Sequence, residues 1–362
     1  MTRIGRRALL AAPLVAAPAR AELSRVGGPE ALEEAARRVL PGPVADWIAG
    51  GAGGEAALRR SRAALEALVL TPRVLTGAGP ADPRVVLPGV GAVPPIGIGP
   101  FGANGHMHPE AELATARGAA AAGALFVVPM VATRSLEEVA AVSGPRWLQL
   151  YLQADRGATR DLAQRARASG YGALVVTLTA PVAAWRERDI ASGFALDPAL
   201  SSGNDRASYA RPLRGGTNPS PRWSDIEALQ AEGLPVVLKG VLRAEDAARA
   251  AAIGAAVFVS NHGGRQMESW PAPVEVLPRI ADVVAGRVPV LMDGGIRRGE
   301  DALKALASGA DAVFVARPAA WALAAGGAEG VRWLMDRLHA ELATAMRLGG
   351  VDRLEDAPSL LR

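Results

Sequence analysis

The stretch Ala256-Val257-Phe258-Val259-Ser260-Asn261-His262-Gly263-Gly264-Arg265-Gln266 decides the fold. Its apolar, β-branched and aromatic start reads as a short buried strand, and the polar residues and paired glycines that follow read as the turn leaving the strand's C-terminal end. The same arrangement recurs along the chain. Candidate strands lie at Ile96 to Gly99, Ala124 to Val128, Trp147 to Tyr151, Ala173 to Leu178, Val236 to Lys239, Ala256 to Ser260, Pro289 to Met292 and Ala312 to Val315. Most are followed by a helix-like run, such as Pro109 to Ala122 or Ala244 to Ile253. Strands alternating with helices imply a parallel sheet with crossover helices, and eight strands are the number that closes one. The expected fold is therefore α/β: a (β/α)8 TIM barrel with a short N-terminal helical extension.

The 362 residues, half of them hydrophobic, suffice for one barrel and a modest addition. The formal charge of +4 resides in Arg3, Arg6, Arg7 and Arg20, within an opening segment that has no acid; the remainder is neutral. A neutral chain lacks the basic stripe that nucleic acid requires. Residues 1–21, with Arg6-Arg7 before an apolar run and Ala19-Arg20-Ala21 at its end, resemble a twin-arginine export signal, which implies a periplasmic destination. The alternative is a basic, alanine-rich start on a cytoplasmic protein. Residues 22–72 read as the helical extension: Pro29 to Leu40 forms a helix stopped by Pro41-Gly42-Pro43, and a second begins near Val44 and fails in the glycines from Gly50 to Gly54. Residues 73–362 form the barrel. Its fourth connection, about 187–222, is rich in Gly, Pro, Ser and Arg without periodicity, and is either a lid or an unstructured insertion. With no cysteine, the chain has neither disulfide nor thiol chemistry.

Active sites of such barrels gather at the C-terminal strand ends. Here those ends offer Tyr151, Thr177, Lys239, Asn261 with His262 and Arg265, Asp293 with Arg297, and Arg317, a largely cationic mouth. A lone histidine is more often structural than catalytic. His262 differs in following a strand directly: glycines let backbone approach a ligand, and Arg265 is spaced to hold a carboxylate while the imidazole takes a proton. Lys239 is one of only two lysines, in a chain that otherwise writes arginine. A compact ammonium at a strand end suits negative charge developing on a flavin ring. Asp293-Gly294-Gly295-Ile296-Arg297-Arg298 and Ala316-Arg317-Pro318 follow the last two strands, the usual phosphate site of this fold. His106 and His108 read either as lining residues or as a metal pair short of ligands; no metal site is expected.

His108-Pro109-Glu110 with Ala114-Thr115-Ala116-Arg117, Gln149-Leu150-Tyr151, Leu238-Lys239-Gly240-Val241, Ser260 to Gln266 and Asp293 to Gly299 occur in that order. With them the chain, from about Leu40 to Leu348, resembles the FMN-dependent 2-hydroxy acid oxidases and dehydrogenases, a family that includes glycolate oxidase, lactate oxidase, flavocytochrome b2 and mandelate dehydrogenase. The resemblance implies an FMN enzyme that oxidises an L-2-hydroxy acid to the 2-oxo acid, with oxygen, a quinone or a cytochrome taking the electrons, and a homotetramer. It implies that His262 is the base, Arg265 and Arg186 bind the substrate carboxylate, and Tyr151 meets the substrate hydroxyl. Lys239 would face the flavin N1 and O2 side, Gln149 and Thr177 would touch the isoalloxazine, and Asp293, Arg297 and Arg317 would hold the ribityl phosphate.

The chain departs from the pattern at named positions. Trp47 stands where the family has a tyrosine that donates to the substrate carboxylate, and indole keeps one N–H donor in a bulkier ring. Thr179, in Thr177-Leu178-Thr179-Ala180-Pro181, stands where an aspartate supports the histidine; a hydroxyl orients imidazole but cannot stabilise imidazolium by charge. Pro129 replaces a serine that contacts flavin, and Ala316 a glycine beside Arg317. These changes motivate a second expectation, a flavin-binding barrel without turnover that serves as a carrier or interaction module.

Overall fold

The computed structural model describes residue 23 and residues 26–205 and 216–361. The expected export signal lies outside the described residues. Within them, eight parallel strands close a barrel in the order β10-β3-β4-β5-β6-β7-β8-β9: β3 Ile96–Ile98, β4 Phe126–Val128, β5 Arg146–Leu150, β6 Leu174–Thr177, β7 Val236–Val241, β8 Ala256–Val259, β9 Val290–Asp293 and β10 Ala312–Val315. Each corresponds to one of the eight candidates. The clearest difference is β7, which continues past Lys239 to Val241 through a register shift, with Gly240 at a φ of 109° supplying the turn of backbone.

Alternation along the strands sorts the core into two layers. One face of each strand, with Ile98, Val128, Leu148, Val176, Leu238, Val259, Met292 and Val315, packs outward on the helices. The other faces the barrel axis, where Leu125, Val127, Trp147, Val175, Val237, Phe258, Leu291 and Phe314 form a separate apolar plug. Gly97 is glycine because Phe314 fills that space: a Cβ there would lie 2.7 Å from the Phe314 ring and 2.9 Å from the Leu125 carbonyl oxygen. An antiparallel hairpin, β1 Val85–Leu87 with β2 Gly91–Val93, adds Leu87 and Val93 to this plug, and Trp147 Nε1 donates to the Pro88 carbonyl at 2.9 Å. Sequence periodicity missed the hairpin, since each arm is only three residues long.

The extension contributes helices Pro29–Val39, Gly42–Ala49 and Ala56–Ala67, the last unanticipated. The segment expected to lack periodicity opens with a short helix, Glu187–Ser192, and the chain turns at Gly193 with a φ of 67°. The long run Arg317–Gly349 is two helices broken at Gly326 and Gly327; it packs on helices Glu112–Ala121 and Pro29–Val39.

Candidate active site

Counting in twos along the axis-facing residues leads from the plug into the site. Gln149 follows Trp147, Thr177 follows Val175, Lys239 follows Val237, Ser260 follows Phe258 and Asp293 follows Leu291. A strand that buries apolar side chains inside the barrel therefore presents its next inward residue at the C-terminal mouth. One further step reaches Tyr151, Thr179 and His262. These ends border a cavity of about 900 Å³, whose far walls are supplied by the extension and by the chain after β6.

His262 adopts a left-handed backbone with a φ of 58°, followed by Gly263 at 63° and Gly264 at 72°. For a residue with a Cβ this conformation costs on the order of 1 kcal/mol or more, so the surroundings must hold it. They do so on several sides. The His262 N–H donates to Ser260 Oγ at 3.0 Å, and Asn261 Oδ1 accepts the Gly264 N–H at 3.1 Å. Asn261 Nδ2 also donates to Ser61 Oγ at 2.9 Å, tying the turn to helix Ala56–Ala67. Gly264 approaches that helix so closely that a Cβ would lie 2.7 Å from the Leu58 nitrogen. Thr179 lies behind the imidazole, its Oγ1 2.8 Å from His262 Nδ1. Enclosure, and then the cations Lys239, Arg265, Arg186 and Arg317, hold the imidazole well below the usual histidine range. It is a neutral ring, able to accept a proton.

Two arginines flank this ring, and both bond to the C-terminal end of helix Gly42–Ala49. Arg265 Nη1 donates to the carbonyls of Trp47 at 2.6 Å and Gly50 at 2.7 Å. Arg317 donates to the carbonyls of Ile48 at 3.0 Å and, through Nη2, of Gly50 at 2.8 Å. One carbonyl oxygen thus receives both guanidiniums. Arg186 donates from Nε to the Arg265 carbonyl at 3.1 Å and from Nη2 to Gln266 Oε1 at 3.3 Å, with Asp189 3.5 Å from Nη1. Burial lowers the pKa of Arg265 and Arg317 from the ordinary arginine value, with Arg186 adding to the effect at Arg265 and Arg265 at Arg317. Guanidinium stays charged, so the depression signals cations enclosed without enough negative charge.

A second polar group lies towards β9 and β10. Lys239 Nζ is 2.8 Å from Asp293 Oδ2 and donates to Ser260 Oγ at 2.8 Å. Asp293, expected with the phosphate-binding arginines, neutralises this ammonium through Oδ2; its buried Oδ1 has no hydrogen-bond partner among the described residues. Gly294 and Gly295 follow at φ of 97° and 85°. Beside them the Arg297 guanidinium, lowered by burial, makes no hydrogen bond or ion pair among the described residues. Arg62, from helix Ala56–Ala67, borders the same end and pairs with Asp301 at 2.8 Å. On the opposite wall Gln149 Nε2 donates to Thr177 Oγ1 at 3.1 Å and Gln149 Oε1 accepts the Met130 N–H at 3.2 Å.

Sequence reasoning did not assign Ser260, although it bridges Lys239 and His262; its place two residues beyond Phe258 was the available signal. Arg62 gave none in a chain so rich in arginine. His106 accepts the Asp197 N–H through Nε2 at 3.2 Å, and His108 Nδ1 accepts the Glu110 N–H at 3.2 Å. Among the described residues no group of three or more acidic or imidazole side chains is placed to hold a metal ion.

Residues 36–362 match the family described as FMN-dependent dehydrogenase. The chain belongs to that family. It is 42% identical to the L-lactate oxidase of Nostoc sp. over 90% of this chain and 94% of the relative, and 42% identical to the 4-hydroxymandelate oxidase of Amycolatopsis orientalis over 91% and 96%. A crystal structure of mandelate oxidase with benzoyl-formic acid superposes with a TM-score of 0.86 at 41% identity, covering 91% of this chain and 96% of that one. As a family member the protein is an FMN-dependent oxidoreductase, and its residues fit the cofactor. A phosphate dianion answers the unpaired Arg297 and the underneutralised Arg317, the orphaned Asp293 oxygen suits a ribityl hydroxyl, and the Lys239 ammonium suits the electron-rich edge of a flavin.

Proposed function

We propose that the protein oxidises L-2-hydroxy acids with an apolar side chain to the corresponding 2-oxo acids. The observation that carries this reading is the His262 imidazole, held well below the usual histidine range, facing the same cavity as the Arg186 guanidinium and that of Arg265, which burial and then Arg186 depress. In this role the two arginines hold the substrate carboxylate and Tyr151 hydrogen-bonds its hydroxyl. His262 Nε2 takes the hydroxyl proton while Thr179 fixes the ring from Nδ1. Bound FMN supplies the two-electron acceptor. Lys239, Gln149 and Thr177 would hold the flavin ring, while Arg297 and Arg317, with Arg62 and the Gly294-Gly295 backbone, would hold the phosphate and Asp293 a ribityl hydroxyl.

Val131, Met107, Leu196 and Phe101 border the cavity, and Asp293, already paired with Lys239, is the one acid that lines it among the described residues. An apolar side chain therefore suits this wall better than a second carboxylate or an amine. The oxidase names of the relatives support oxygen as the electron acceptor.

The test is anaerobic mixing of the holoenzyme with a panel of L-2-hydroxy acids while flavin absorbance is followed, then reoxidation by oxygen, a quinone or cytochrome c. Bleaching by an apolar member, lost in His262→Gln with FMN still bound, is the expected result. A flavin that no panel member bleaches would support the carrier reading instead. Export to the periplasm, supported by the Arg6-Arg7 segment, is tested by locating the full chain in cell fractions.

A further inference from the structure

Trp47 has neighbours on two sides that no carboxylate-donating role explains. Its indole stacks on Phe194, with ring centroids 4.8 Å apart and planes 17° from parallel. The guanidinium carbon of Arg265 lies 5.8 Å from the Trp47 ring centroid. His106 meets Phe194 edge-on at 5.4 Å and lies 6.0 Å from Trp47. An aromatic face within about 6 Å attracts a cation, and the attraction strengthens as water is excluded.

These three groups belong to separate parts of the chain. Trp47 is in the extension, Arg265 is in the turn after β8, and Phe194 is in the segment after β6. That segment is fastened to the extension at its near end and to the connection after β3 at its far end. The Gly53 N–H donates to the Trp185 carbonyl at 3.0 Å, and Arg188 pairs with Glu55 at 2.7 Å. Further on, the Asp197 N–H donates to His106. Phe194 lies between these attachments, so its contact with the indole depends on the segment being seated.

We propose that Trp47 is a positioning residue through which seating of the 185–200 segment sets the Arg265 guanidinium for a carboxylate. Phe194 fixes the plane of the indole and keeps water from it, and the fixed indole bounds one face of the guanidinium. The carbonyl bonds from Trp47 and Gly50 hold only Nη1. The ring therefore supplies an orientation that the backbone does not. A phenol in this place would offer an O–H to the substrate; the indole instead acts on the arginine that receives it. The inference rests on the reading of Arg265 as the carboxylate ligand.

The test compares Trp47→Leu, Phe194→Leu, the double variant and Arg265→Gln, each as FMN-loaded holoenzyme. The probes are pyruvate, small enough for the cavity whatever side chain it prefers, and methyl pyruvate as its uncharged match. Affinities are read from the perturbation of flavin absorbance. Substitution at 47 leaves the carbonyl bonds in place, so the variant removes the ring alone. Each single substitution is expected to weaken pyruvate about fivefold to tenfold with methyl pyruvate unchanged, and the double variant to weaken it no further than one single. Parallel losses for both probes, additive losses, or no loss in the Trp47 and Phe194 variants while Arg265→Gln loses pyruvate would overturn the inference alone. Unchanged pyruvate binding in Arg265→Gln would overturn the carboxylate reading and the inference with it.

Discussion

The Thr179 hydroxyl stands 2.8 Å from Nδ1 of His262, where an acidic partner would hold a protonated ring by charge. A hydroxyl gives direction without charge, and the cations around the ring oppose its protonation. In the proposed role the base is therefore available over a wide pH range but weakly supported once it has taken its proton. Thr179→Asp is expected to raise the rate of flavin reduction about tenfold or more by stabilising imidazolium. Thr179→Val is expected to lower it by about tenfold, the worth of one orienting hydrogen bond. Stopped-flow reduction at saturating substrate separates the two.

The same relationship fixes the sign of the pH dependence. In the proposed role His262 acts as a base when neutral, and its folded-state value lies below the ordinary histidine value. In the wild type kcat/KM should stay level as pH falls through about 6.5, where an unperturbed histidine would protonate. The new carboxylate in Thr179→Asp raises the ring's affinity for protons, so its acidic limb should move to higher pH. For stability, an unfolded chain protonates this histidine first. The contribution of its neutrality to stability is complete above about pH 6.5 and declines as pH falls towards the folded value. A pH–rate profile that is identical in the two proteins would refute this account.

Phosphate, rather than the flavin ring, should account for much of the stabilisation that the cofactor brings. Arg297 and Arg317 are enclosed cations without a carboxylate partner among the described residues. FMN is therefore expected to raise Tm of the apoprotein well above the effect of riboflavin at the same concentration, and Arg297→Leu to shrink the difference. Thermal melts with the two flavins measure it.

Lys239 and Asp293 form a buried pair 2.8 Å apart. Removing one charge strands the other, which costs about 3–5 kcal/mol. Lys239→Met should lower unfolding free energy by that order, whereas Lys239→Met with Asp293→Leu should recover part of it. Chemical denaturation of the apoproteins tests the pair apart from flavin binding.

Gly97→Ala places a methyl against Phe314 and the Leu125 carbonyl inside the closed barrel. Overpacking of this kind costs about 1–3 kcal/mol. The expected result is a lower denaturation midpoint with an unchanged m-value.

The barrel was legible because eight short apolar strands alternate with helices, and Lys239 and His262 because each lies at a strand end; Ser260, two residues beyond Phe258, is reached only by the inward count. The pairing of Thr179 with His262 was implied by the family resemblance, which sets Thr179 at the position of an aspartate against the histidine, and the two lie 2.8 Å apart. What the sequence did not disclose depends on contacts between distant segments or on backbone atoms. Phe194 carries no signal that it will stack on Trp47, and nothing distinguishes the Gly50 carbonyl from any other. Asp293 was placed with the phosphate because it precedes Gly294 and Arg297. Its Oδ2 pairs with Lys239 on β7, past the single strand β8 that separates them, as burial of an ammonium requires.

The Gly50 oxygen has two lone pairs, and Arg265 and Arg317 occupy it together. A displacement of the extension at this residue would carry both guanidiniums in one direction. The distance between Arg265 and Arg317, which the proposed function sets against the substrate carboxylate and the flavin phosphate, is thus anchored at a shared backbone point. Variation in the side chains of the extension can retune either partner's surroundings while that span stays constant, which gives the cavity a fixed length and an adjustable width.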